Sequence, residues 1–93
     1  MPSIDIVVNH SVGLHARPAA EFVKTANKFQ CEIVIRNLTT DGKFVNAKSI
    51  LSVLTLGVNQ GHKIFVEAEG EQAEEALTAL NDLVNNNFGE STG

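Results

Sequence analysis

Along this chain the spacing of apolar residues switches between a period of two and the helical period of about 3.6, and the order of those switches limits the fold more than anything else. Ser3-Ile4-Asp5-Ile6-Val7-Val8 alternates, which predicts a strand with Ile4, Ile6 and Val8 on one face. From Ala16 to about Asn27 the spacing is helical: Ala16, Ala19, Ala20, Val23 and Ala26 form the stripe expected to be buried, with Phe22 at its edge. Glu32 to Arg36 is β-branched and short, hence a strand. Asn37 to Gly42 is turn material around an Asp-Gly pair, and Lys43 to Asn46 returns as the second arm of a hairpin. Ser49 is a good N-cap for a short helix from Ile50 to Leu56, with Gly57 just past its end. Asn59-Gln60-Gly61 punctuates. His62 to Ala68 is a strand showing Ile64, Val66 and Ala68 to one side. Gln72 to Asn86 is a helix whose buried stripe is Ala73, Ala76, Leu77, Leu80, Leu83 and Val84. Asn87 and Gly89 help to end it, with a frayed tail to Gly93.

The order is therefore βαββαβα, without an internal repeat. Helices that follow strands onto one face of an antiparallel sheet give an α+β two-layer sandwich, and residues 1–93 read as a single domain. The chain is 43% apolar with phenylalanine its only aromatic residue, so the core is mostly aliphatic. A net charge of −4 argues against nucleic acid or an anionic membrane as a main partner. The bases gather early: Arg17, Lys24, Lys28, Arg36, Lys43 and Lys48 precede an acidic C-terminal third in which Lys63 is the only base. That asymmetry fits a mildly positive region for an acidic protein partner, or simply a solvated surface. Cys31 is alone, so no disulfide can form within the chain; it reads as a small half-buried residue at a strand edge. No secretory signal or membrane span is visible, which makes the cytoplasm the default location and a monomer the default state.

Chemistry concentrates in Gly13-Leu14-His15-Ala16-Arg17-Pro18-Ala19-Ala20. A helix start has N–H groups without intrahelical partners and partial positive charge from the aligned peptide dipoles, so it receives phosphate readily. Proline is tolerated in that first turn. A histidine there, followed by Arg17, can act as a nucleophile that carries a phosphoryl group; on spacing alone it reads equally well as a helix cap with no chemistry. His10 and His62 have no comparable surroundings and read as plain surface residues. No metal site is expected, because no Cys, Asp or Glu stands at ligand spacing, and no cofactor is expected.

Two segments resemble the histidine-containing phosphocarrier family, HPr, of the phosphoenolpyruvate:sugar phosphotransferase system. Gly13-Leu14-His15-Ala16-Arg17-Pro18-Ala19 is similar to the family's active-site motif, and Asn46-Ala47-Lys48-Ser49-Ile50-Leu51-Ser52-Val53-Leu54-Thr55-Leu56-Gly57 to its second motif, around a regulatory serine. Their separation and the order of elements match from end to end. The resemblance implies an open-faced sandwich: a four-stranded antiparallel sheet, strand order 1-4-2-3, with three helices on one face. It implies phosphorylation of His15 on Nδ1 by phosphorylated enzyme I and transfer to a histidine of a sugar-specific IIA component. Arg17 would stabilise the phosphoryl group, with the amides of Ala16 and Arg17 behind it. The resulting role is a stoichiometric phosphocarrier in sugar transport, not an enzyme turning over a small substrate.

Ser49 caps its helix in either case. By resemblance to Gram-positive members it is also a target of an HPr kinase/phosphorylase, with a transcription factor as the downstream partner. The helix after it is too apolar to bury all of Ile50, Leu51, Val53, Leu54 and Leu56. By resemblance Ile50, Leu51 and Leu54 dock enzyme I and the IIA components, with Lys24 and Lys48 contributing charge. Two departures from the family pattern stand out. Val12 replaces a small polar residue common just before the glycine, and the 37–42 loop looks about three residues longer than usual. An HPr-like protein of a nitrogen or regulatory branch, acting mainly by protein binding, is the alternative reading.

Overall fold

The computed structural model describes residues 2–9, 13, 14, 16–86 and 88. Its elements are β1 (Ser3–Val7), α1 (Ala16–Ala26), β2 (Cys31–Asn37), β3 (Val45–Asn46), α2 (Ile50–Leu54), β4 (Lys63–Gly70) and α3 (Ala73–Asn85). The strands form one antiparallel sheet in the order β1-β4-β2-β3, so β4 and β2 lie at its centre and β1 and β3 at its edges. All three helices lie on one face, and the fold is the open-faced sandwich that the resemblance implied.

Register follows from the alternation. Ile4 pairs with Val66, which pairs with Ile35; Ile6 pairs with Ile64, which pairs with Asn37; Ile33 pairs with Ala68. Paired residues share a face, so these rows lie beneath the helices. They join Ala19, Phe22 and Ala26 of α1, Val53 of α2 and Ala73, Ala76, Leu77, Leu80 and Val84 of α3 in one cluster. Val8, Leu14, Ala47, Leu56 and Val58 from connecting segments, with Phe88 after α3, complete it.

The α1 stripe is rotated from its expected position. Phe22 is fully buried at its centre, with Pro18, Ala19 and Ala26, whereas Ala16 and Ala20 are exposed. A phenylalanine side chain buries far more apolar area than a methyl group, so it decides which way the helix turns. The second arm of the hairpin is shorter than expected, with only Val45 and Asn46 paired to β2. Before it, Gly42 N–H donates to the Asn37 carbonyl at 2.9 Å, and Phe44 leaves the ladder to lie against Phe65. α2 ends at Leu54 rather than Leu56. Thr55 and Leu56 donate to carbonyls only three residues back, at 3.1 Å each, which tightens the helix to its close before Gly57, at φ +62°. Cys31 is half-buried and stands at the start of β2, as expected. The expected helix end at Asn87 and Gly89, and the tail to Gly93, lie outside the described residues.

Candidate functional site

The approach to α1 is fixed by contact with a distant segment. Gly13 adopts φ +64°, and a Cβ on it would stand 2.2 Å from the Val58 carbonyl oxygen and 2.7 Å from the Asn59 Cα. Only glycine fits so close a backbone approach. Leu14 then donates its N–H to that same Val58 oxygen at 2.9 Å and buries its side chain in the core. The two residues before position 15 are thus seated on the connection between α2 and β4. His15 itself, together with His10 and Val12, lies outside the described residues.

From Ala16 the helix follows. Pro18 is its third residue, where the missing N–H has no acceptor inside the helix. Its ring is buried, which anchors the first turn. Ala16 and Arg17 are exposed. Lys24 is exposed too, near the last turn, where the dipole favours a cation. The acidic residues of the helical layer concentrate on α3, which carries Glu74, Glu75 and Asp82 against a single Glu21 on α1.

α2 packs against α1. Ser49 caps it through a long hydrogen bond, its Oγ accepting from the Ser52 N–H at 3.4 Å. Val53 faces the core, while Ile50, Leu51 and Leu54 are exposed, Leu51 to 75%. Lys48 is differently engaged from Lys24: its ammonium donates to the Phe29 carbonyl at 2.7 Å. The Asn27 amide donates to the Lys48 carbonyl at 3.2 Å, so these bonds tie the end of α1 to the start of α2.

One constellation was not legible as such. Asn37, expected to be turn material, is the last residue of β2 and the one buried polar side chain among the described residues. Its Oδ1 accepts from the Thr39 and Thr40 N–H groups at 3.0 and 3.4 Å, and its Nδ2 donates to the Leu56 carbonyl at 3.3 Å. The same Nδ2 lies 3.2 Å from Nδ1 of His62. His62 is therefore half-buried and bonded, not the plain surface residue expected. Its partners stand 25 and three residues away, and the distant one leaves no local pattern to read.

Among the described residues no group of three His, Cys, Asp or Glu side chains is placed to hold a metal ion, and no helix is long and apolar enough to cross a membrane.

The family model of the phosphotransferase-system HPr component phosphorylation site matches residues 2–86. The phosphocarrier protein HPr of Pseudomonas aeruginosa is 41% identical over 91 residues, 97% of this chain and 98% of that protein. The crystal structure of HPr-C-His from Thermoanaerobacter tengcongensis superposes with a TM-score of 0.91 at 47% identity, covering 98% of this chain and 99% of the other. A structure of an HPr dimer from the same organism is similar at a TM-score of 0.75 and 48% identity, covering 97% of this chain and all of that one. Multiphosphoryl transfer proteins also match, but this chain spans only 17% to 23% of their length.

Proposed function

Because this chain belongs to the HPr family of phosphotransferase-system phosphocarriers, we propose that it accepts a phosphoryl group from phosphorylated enzyme I on His15 and passes it to a histidine of a sugar-specific IIA component. The observation that carries this reading is the Gly13–Ala19 segment opening α1, seated on Val58 and Asn59 with Arg17 exposed beside it. An imidazole near neutral pH supplies a free nucleophile and, once phosphorylated, a good leaving group. The donor's P–N bond breaks as a P–N bond forms at His15 Nδ1, and the reverse exchange delivers the group onward. The helix dipole, the amides of Ala16 and Arg17 and the Arg17 guanidinium meet the added charge. The exposure of Ala16 and Arg17 keeps that stabilisation modest, which suits a group that must leave again.

Docking is assigned to Ile50, Leu51 and Leu54, with Lys24 adding charge on the neighbouring helix. An exposed apolar group on a short, well-anchored helix supports that assignment. Lys48, engaged with Phe29, contributes to the shape of this surface. Ser49 is where we place a regulatory phosphate added by an HPr kinase/phosphorylase and read by a transcription factor. Negative charge at that helix start is tolerated by the helix and repels acidic partners. The protein acts in the cytoplasm as a monomeric carrier. Sedimentation at working concentration separates that state from a dimer.

Incubation with enzyme I and phosphoenolpyruvate tests the main reading. The expected product is an acid-labile, base-stable phosphate mapped to the peptide around His15; no such adduct, with an active enzyme I, overturns it. Incubation with the kinase and ATP tests the second, through acid-stable phosphate on Ser49.

A further inference from the structure

We propose that His62 is a positioning residue for the start of α1: its unprotonated Nδ1 holds the Asn59 backbone on which the Gly13–Leu14 turn sits. The link to phosphate uptake rests on the carrier reading above; the structural claim does not.

The protonation state follows from the partners. A backbone N–H can only donate, and that of Asn59 points at His62 Nδ1 from 3.2 Å. The second partner at Nδ1 is the Asn37 side-chain amide, also at 3.2 Å. That amide's orientation is set by its oxygen, which two N–H groups occupy, so its nitrogen faces the ring as a donor. Two donors converge on one ring nitrogen, and the ring must be neutral with its proton on Nε2.

Residue 62 thereby holds residue 59 at both backbone polar atoms, since the His62 N–H also donates to the Asn59 carbonyl at 3.0 Å. The adjoining Val58 carbonyl takes the Leu14 N–H, and Gly13 lies against Val58 and Asn59 closely enough to exclude any side chain. The chain of contacts runs from Asn37 at the end of β2, through His62 and Asn59, to the residue preceding His15.

A second proton on the ring turns both acceptor contacts into N–H against N–H. Among the described residues, the elements around His62 offer little to compensate. β2 presents the neutral Asn37 amide, and the 59–61 turn carries no charged side chain. Val8, just past β1, presents its N–H, which donates to the His62 carbonyl. Of nearby charges, Lys63 is exposed on β4 and would repel, while Arg36 and Asp41 are paired with each other at 2.6 Å. The neutral ring is thus the form that makes both contacts.

The test uses the isotope-labelled full chain with His62→Asn, whose Oδ1 can stand in for Nδ1 as an acceptor without titrating, and His62→Leu, which has no acceptor. Amide hydrogen exchange at Leu14 should quicken by about tenfold in His62→Leu, the scale of one to two lost hydrogen bonds, and stay near wild type in His62→Asn. Amides of β4, paired on both sides, should not change in either. Phosphate uptake from enzyme I should slow in His62→Leu and recover in His62→Asn. Unchanged Leu14 protection in His62→Leu overturns the proposal, as does failure of His62→Asn to restore it or an equal loss in β4. If His62→Leu does not fold, His62→Ala, which also lacks the acceptor, is read in the same way against His62→Asn. A wild type that never takes up phosphate sinks the carrier reading, and Leu14 exchange still judges this one.

Discussion

On the bare side of the sheet, Phe44 leans against Phe65 with ring centroids 6.0 Å apart, and the Arg36 guanidinium lies 5.6 Å from the Phe44 centroid while bonding Asp41. On the helical side, Leu51 stands 75% exposed with Ile50 and Leu54 beside it. Both regions show large apolar groups to solvent. In the first they cover one another, and their contacts contribute to holding β3 and its turn against the sheet. In the second a five-residue helix is anchored by Val53 and Ser49, and its outward apolar residues add little to that anchorage. Exposure alone does not argue for docking; exposure without a structural task is what supports the docking proposed for Ile50, Leu51 and Leu54.

Variants should separate the two faces. The largest effect belongs to His15→Ala, which should abolish acid-labile labelling from enzyme I while leaving circular dichroism and melting as in the wild type. Labelling that persists would remove the functional meaning of the helical side. Next, Leu51→Glu should slow labelling about tenfold, or about 1.4 kcal/mol, with an unchanged urea midpoint. A lowered midpoint would make Leu51 part of the fold's support and erase the contrast. Phe44→Ala should do the opposite, costing about 1 kcal/mol in urea titration through its ring and cation contacts, with labelling unaffected. The smallest effect is Ser49→Ala, about 0.5 kcal/mol for a long capping bond, read from the same titration.

The fold was legible because each element's period agreed with its place. Ile4, Ile6, Ile64, Val66 and Ala68 alternate onto the face where the structure has them, and Ser49 caps where its residue type suggests. The rotation of α1 was harder to read, since alanines carry too little apolar area to say which side is inward and Phe22 alone outweighs several of them. The Gly13–Arg17 segment announced itself through residue types packed into a few positions. Its support did not: Val58, Asn59, His62 and Asn37 come from β2 and the turn before β4, and only the tertiary fold gathers them.

Asn37 has one more consequence, for how the strands find their alignment. It ends the row Ile6–Ile64–Asn37 beneath the helices, with its amide oxygen and nitrogen both bonded there. Were β2 to slide one residue along β4, that amide would swing to the solvent side. Glu32, Val34 and Arg36 would then enter the oily interior in exchange for Ile33 and Ile35. A neutral polar group at the end of an apolar strand thus acts as a stop, admitting one pairing and rejecting its neighbours before the helices close over it.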